Sequence, residues 1–182
     1  MAQAKRKQRF FDVEIPIINK ETQLYGFDLE DLNGRTISYD LTKFLRGKSV
    51  LLTLKVKIDS DANTKVFTEP IELVVLPSFT RRMIHKGTNY VEDSFSTQCK
   101  NAKVTLKPFL VTRKKVSRAV RQALREKARE FLIDYIKDKN TDEIFDEIIK
   151  NKIQKTLSLQ LKKIYPLSFC DIRIFKIEKE TK

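Results

Sequence analysis

Val50-Leu51-Leu52-Thr53-Leu54-Lys55-Val56-Lys57-Ile58 puts an apolar side chain at every second residue. Val50, Leu52, Leu54, Val56 and Ile58 share one face, while Thr53, Lys55 and Lys57 share the other. A period of two is that of a strand with one dry and one wet face. The same grammar extends in both directions. Asp59-Ser60-Asp61-Ala62-Asn63 reads as a turn, after which Lys65–Leu76 returns as a second strand, with Pro70 marking an edge or a bulge. Asn33-Gly34 is a tight-turn signal and predicts a hairpin between Tyr25–Leu32 and Arg35–Leu41. A further hairpin is expected between Tyr90–Thr97 and Lys103–Thr112, around Cys99-Lys100-Asn101-Ala102. Five or more short strands with short connections suggest a closed or nearly closed sheet over residues 10–112.

After Thr112 the period becomes helical. Over Arg113–Ile136 the apolar positions are Val116, Ala119, Val120, Ala123, Leu124 and Phe131. Lys114, Arg118, Arg121, Arg125 and Arg129 fall within about 80° of one another on a helical wheel, opposite that stripe. They predict a basic ridge roughly 22 Å long. Glu126 and Glu130 intrude only near its end. Asn140 or Thr141 caps a second helix whose buried stripe is Ile144, Phe145, Ile148 and Ile149. A third helix, about Lys152–Lys163, turns Ile153, Leu157, Leu161 and Ile164 inward and stops at Tyr165-Pro166. Asp171–Ile177 alternates again and is expected to rejoin the sheet. The fold class is therefore α+β: an antiparallel, barrel-like sheet with a C-terminal helical excursion and a final strand returning to it. Residues 10–182 read as one domain, with strands over 10–112, helices over 113–164 and the last strand over 167–178.

Composition narrows the function. The chain has 182 residues, of which 37 are Lys or Arg and 24 are Asp or Glu, for a formal charge of +13. An excess of that sign favours an anionic partner. No apolar run approaches the ~20 residues of a membrane span, and the basic start leads into Phe10-Phe11-Asp12 rather than an apolar signal core, so a cytoplasmic protein without membrane contact is expected. Two cysteines, Cys99 and Cys170, do not make a disulfide framework and read as reduced thiols. The single histidine, His85, lies among Arg81, Arg82 and Lys86 with no acid beside it. Four scattered glycines cannot build a phosphate loop. These features point away from an enzyme, and no cofactor or metal is expected.

Three basic groups remain. Residues 1–9 carry Lys5, Arg6, Lys7 and Arg9 without an acid, and read as a flexible arm that a polyanion would order. Ser78–Asn89 reads as a basic loop placing Arg81, Arg82 and Lys86 against a phosphate chain. Arg113, Lys114 and Lys115 lead into the ridge of Arg118, Arg121, Arg125 and Arg129. Ordinary solvated helices mix both signs as i,i+4 pairs; five basic residues in line carry a like-charge cost that a polyanion relieves. A solvated face or an anionic membrane surface would also accommodate such a ridge, but nucleic acid suits it best. Free-standing single-strand binders normally expose stacking aromatics on a sheet face. Here the 12 Phe and 5 Tyr fall mostly at inward-looking positions.

Arg113-Lys114-Lys115-Val116-Ser117 leading into Val120-Arg121-Gln122-Ala123-Leu124-Arg125-Glu126-Lys127, then two helices, then Lys163-Ile164-Tyr165-Pro166-Leu167 and a basic strand, resembles a known family. The family it resembles is that of the archaeal and eukaryotic small-subunit ribosomal proteins of the S-one, eukaryotic type, also called the S-three-a-e family. Phe11-Asp12-Val13-Glu14-Ile15-Pro16 matches its N-terminal aromatic-Asp-Val-x-x-Pro element, and the order of elements corresponds over residues 10–178. Pro77–Lys86 departs from the pattern, reading as a stretch without the helix that members carry there, and a compact, archaeal-like version is expected. The resemblance implies a β-barrel with flanking helices on the platform of the small subunit, near the mRNA exit. Its partners there would be the 3′ region and platform helices of small-subunit rRNA, neighbouring platform proteins and mRNA at the exit. A free-standing RNA- or single-strand nucleic-acid-binding protein is the alternative.

Overall fold

A computed structural model describes residues 7–45, 47–58 and 66–178. Its strands are β1 (Arg9–Ile15), β2 (Lys20–Gly26), β3 (Thr36–Asp40), β4 (Val50–Ile58), β5 (Val66–Val75), β6 (Tyr90–Glu92), β7 (Phe95–Gln98), β8 (Lys103–Thr112) and β9 (Leu167–Ile177). The helices are α1 (Pro77–Met83), α2 (Arg118–Lys137), α3 (Thr141–Ile149) and α4 (Lys152–Leu161). The expected turn at 59–63 lies outside the described residues, as do Lys5 and Arg6. Two compact units contain the described chain: Met1–Tyr39 with Thr53–Ile71, and Asp40–Leu52 with Glu72–Lys182.

The first unit is built on the β1–β2 hairpin, antiparallel from Arg9↔Gly26 to Ile15↔Lys20. Arg9 is thus a strand residue. β1 also pairs in parallel with β5 at Glu14↔Phe67. Alternation on β1 and β4 turns Val13 and Val56 inward, where they meet Leu32 and Val66 beneath a ring of Phe11, Leu24, Leu29, Ile37 and Ile58. Asn33-Gly34 does turn the chain, with Gly34 at φ 79°, a left-handed value that suits glycine. The hairpin expected there does not form. Tyr25 is spent in β2, Glu30–Leu32 winds into a 3₁₀ turn, and β3 pairs with β4 instead. Gly34 N–H donates to Val56 O at 2.9 Å, and Val56 N–H donates to Arg35 O at 2.8 Å. Burial of Leu32 against Val56 decides the outcome, since it draws the turn onto β4.

In the second unit β9 lies between β5 and β8. It pairs with β5 over Glu72↔Lys176 to Val74↔Ile174, and with β8 from Val104↔Ile177 to Thr112↔Leu167. The final strand rejoins the sheet as expected. Register slips between Lys107 and Pro108, where the missing proline N–H interrupts the ladder. β7 and β8 form the expected hairpin, closing at Gln98↔Lys103, while β6 pairs with the far end of β8 at Tyr90↔Val111. Asn101 in the hairpin turn accepts the Thr141 N–H at 3.1 Å and donates to the Thr141 hydroxyl at 2.9 Å, fixing the start of α3. Asn140 is the N-cap of α3, and Ile144, Phe145 and Ile148 are buried below it. Phe145 meets Phe175 of β9 edge-on at 4.7 Å. α4 buries Ile153, Leu157 and Leu161 as expected, whereas Ile164 comes after its end and is 40% exposed.

The class is α+β, with nine strands in a mixed sheet among the described residues. The expectation of a closed barrel is corrected. Strand pairing follows an open path, β2-β1-β5-β9-β8-β6, with β3 on β4 and β7 on β8. Closure would need β6 to pair beyond β8, and β6 has three residues.

Candidate nucleic-acid interface

The lead-in to α2 is held by a clasp between Asn89 and Thr112. Thr112 is fully buried. Its hydroxyl accepts from Asn89 N–H at 3.0 Å and lies 2.9 and 2.8 Å from the carbonyls of Asn89 and Lys114, to one of which it donates. Asn89 Oδ1 in turn accepts from Val116 N–H at 2.9 Å. Arg113, Lys114 and Lys115 stand exposed on this pinned segment, just ahead of the helix. Ser117 is the N-cap, and its hydroxyl accepts from Val120 N–H at 3.4 Å.

The helix starts at Arg118, so Lys114 precedes the ridge instead of extending it. The buried row is Leu124, Ala128, Leu132 and Ile136, spaced by four. On the wheel that row runs beside the arginines, and Arg121 falls within it. The expected opposition of stripe and ridge is therefore corrected. Ala119, counted as inward, is exposed, and Ala123 is half-buried. The cause is side-chain size, because Leu124, Leu132 and Ile136 outweigh the small Ala119 and Ala123.

Turned this way, the arginines flank a cleft of about 450 Å³ between α2 and β6. Arg118, Arg121, Gln122, Arg125, Glu126 and Arg129 line it from the helix, and Tyr90, Val91 and Asp93 from the strand side. Arg118 to Arg129 spans roughly 16 Å of helix. The four arginines are not equivalent. Arg129 Nε lies 3.4 Å from Asp93 Oδ2, and its guanidinium sits 5.2 Å from the centre of the Phe95 ring. It is engaged in holding α2 to β7. Among the described residues no carboxylate pairs with Arg118, Arg121 or Arg125. Arg121 Nε is buried without a hydrogen-bond partner. Glu126, also in the cleft, accepts from Gln122 at 2.9 Å along its own helix.

Arg81 and Arg82 are exposed in the last turn of α1. The stretch expected to lack a helix thus has one, begun by Pro77 at its first position and held by Thr80, whose buried hydroxyl donates to Pro77 O at 3.1 Å. Two arginines at a helix C-terminus also suit the negative end of its dipole. Lys86 is exposed in the loop beyond, next to Gly87 at φ 91°. Arg82 lies 5.5 Å from the Phe79 ring centre. A run of rings then leads from Phe79 to Phe169 at 5.9 Å, to Phe109 at 6.2 Å and to Tyr90 at 6.1 Å. Lys7 and Arg9 are exposed in the first unit.

Sequence reasoning missed the exposed aromatics. Tyr90 is 53% exposed, and Phe10 and Tyr25 form an outward cross-strand pair with ring centres 4.9 Å apart. The reading of aromatics as mostly inward fails at these positions. A signal existed, because Val91 is inward and alternation puts Tyr90 and Glu92 outside. Burial pushes the thiols up, Cys99 to about 11 and Cys170 to about 12, the latter helped by the Asp171 charge, so neither is a nucleophile at neutral pH. Among the described residues no three His, Cys, Asp or Glu side chains gather to hold a metal ion.

The sequence pattern of the Ribosomal S3Ae family matches residues 3–181. The chain belongs to the ribosomal S3Ae family. It is 26% identical over 183 residues to the "Small ribosomal subunit protein eS1" of Nanoarchaeum equitans (strain Kin4-M), with 97% of this chain and 92% of the relative covered. Membership makes it a protein of the small ribosomal subunit, a structural constituent of the cytoplasmic ribosome that serves translation among rRNA and ribosomal-protein partners.

Proposed function

We propose that this chain is a non-catalytic constituent of the small subunit that grips rRNA through its phosphate backbone. The carrying observation is the set of Arg118, Arg121 and Arg125 along one edge of α2, unpaired with carboxylates among the described residues, with one buried Nε lacking a partner. Phosphate oxygens meet every need of that set: they are anionic, they accept from guanidinium forks, and they recur along a chain. Arg113, Lys114 and Lys115 extend the contact. Arg81, Arg82 and Lys86 form a second group, with Lys5, Arg6, Lys7 and Arg9 as a third. A location on the platform near the mRNA exit, beside the 3′ region of the rRNA and other platform proteins, is part of the proposal and rests on the family resemblance. Co-sedimentation tests it. The protein should travel with small subunits at low salt and be released by a high-salt wash. Failure to join the subunit peak, with RNA binding retained, would favour a free-standing RNA-binding protein, which the exposed Phe10–Tyr25 pair would suit.

A further inference from the structure

We infer that the cleft between α2 and β6 receives one unpaired nucleotide of RNA, its base lying against Tyr90 and its phosphate held by Arg118, Arg121 and Arg125. The inference rests on the rRNA-binding reading and narrows it from backbone contact to a nucleotide subsite.

Size, charge and shape agree. About 450 Å³ lies within the roughly 300–1,000 Å³ that small-ligand clefts occupy, enough for a nucleotide and too little for a duplex. Tyr90 is half-exposed, while Phe109 backs it with ring centres 6.1 Å apart and planes 28° from parallel. A ring supported behind and open in front is a stacking platform needing no reorganisation, and every base has a face to offer it. The charged groups around the cleft fix the polarity. Asp93 sits at the far end, 3.4 Å from Arg129 Nε and with its buried Oδ2 lacking a hydrogen bond, and repels an anion there. Glu126 lies beyond Arg125 along the helix and repels phosphate oxygens, which thereby sit on the side of Arg125 towards the first turn, that of Arg118 and Arg121. That turn is also the positive end of the α2 dipole. Arg121 Nε is buried and unpartnered, and gains its missing acceptor when the side chain turns into the cleft towards a phosphate oxygen. Duplex RNA alone would use the arginines but leave Tyr90 idle, since paired bases keep their faces stacked on one another.

The test compares three short RNA duplexes by fluorescence anisotropy with the full chain: one carrying a single unpaired adenosine, the same duplex fully paired, and one with an abasic residue in the unpaired position. The unpaired adenosine should tighten binding about tenfold over the other two, the size of one base–aromatic stack. Tyr90→Ala should abolish this preference while leaving affinity for the paired duplex unchanged; Tyr90→Phe should retain it. Arg118→Gln, at an exposed position, should weaken binding of all three. Equal binding of the three duplexes by the native chain overturns the subsite and leaves the rRNA-binding reading standing. Equal loss on all three in Tyr90→Ala also overturns it, because Tyr90 would then act on the fold. No binding to any duplex overturns both.

Discussion

Lys48 Nζ lies 2.7 and 2.8 Å from the two carboxylate oxygens of Asp171, 123 residues away in sequence, with both side chains largely out of water. Around the pair, Gln154 Nε2 donates to Asp171 Oδ1 at 3.1 Å, Ile172 N–H donates to it at 2.9 Å, and Lys48 donates to Asn151 Oδ1 at 3.2 Å. One ion pair therefore fastens the segment before β4, the start of α4 and the middle of β9. Removing one partner leaves a buried charge uncompensated. Lys48→Met should lower stability by about 3–5 kcal/mol, and Lys48→Met with Asp171→Leu by clearly less. Chemical denaturation of the three proteins measures this. Equal losses in the single and double variants would show that the charges are not coupled.

Glu178, just beyond β9, gives a pH dependence with a definite sign. Lys103, Ser96 and Thr105 all donate to its carboxylate, and together they hold its pKa at about 2 against an ordinary 4.5. A depressed carboxyl stabilises the fold fully above its unfolded value, and the contribution drains away as pH falls from about 4.5 towards 2. Glu178→Gln should melt lower than the native chain at neutral pH. The gap should close below pH 4.5. A gap that stays constant with pH would mean that the hydrogen bonds, not the ionised form, matter.

The facing of α2 predicts opposite outcomes for two alanines nine residues apart. Ala128 is fully buried in the i,i+4 row, and Ala119 is exposed. Ala128→Leu forces extra atoms into a filled interface and should cost about 1–3 kcal/mol. Ala119→Leu should be neutral within about 0.5 kcal/mol. Thermal melts of both decide it, and a reversed order would restore the helix face read from the sequence.

What was legible followed from local pattern. Val50, Leu52, Leu54 and Val56 alternate so regularly that β4 could be little else, and the β7–β8 hairpin announced itself through its turn. The α3 and α4 stripes, rich in isoleucine and leucine, were legible for the same reason. Pairing partners were not legible. Asn33-Gly34 says that the chain turns but not that Leu32 will be buried against Val56, and nothing near Lys48 hints at Asp171. In α2 the arginine spacing was visible, yet the division of labour was not. Asp93 and Phe95 engage Arg129 from outside the helix, and only the fold brings them there.

That division yields the last prediction. Arg118, Arg121 and Arg125 should contact phosphates, whereas Arg129 is already committed to Asp93 and Phe95. Every phosphate that the protein no longer neutralises takes about 0.7–0.9 off the slope of log affinity against log salt. Replacing Arg118, Arg121 and Arg125 together by Gln, which is nearly as good a helix former, should flatten that slope by about two to three units and leave the helix intact. Arg129→Gln should behave differently. It should barely alter the slope but cost about 1 kcal/mol of stability, because Asp93 then loses its cation in a half-buried position. Titrations of small-subunit rRNA at several salt concentrations, with circular dichroism on each variant, separate the two. An unchanged slope in the triple variant would turn the arginine edge of α2 towards protein or solvent. A slope change in Arg129→Gln as large as one third of the triple variant's would make the four arginines a single phosphate-binding row.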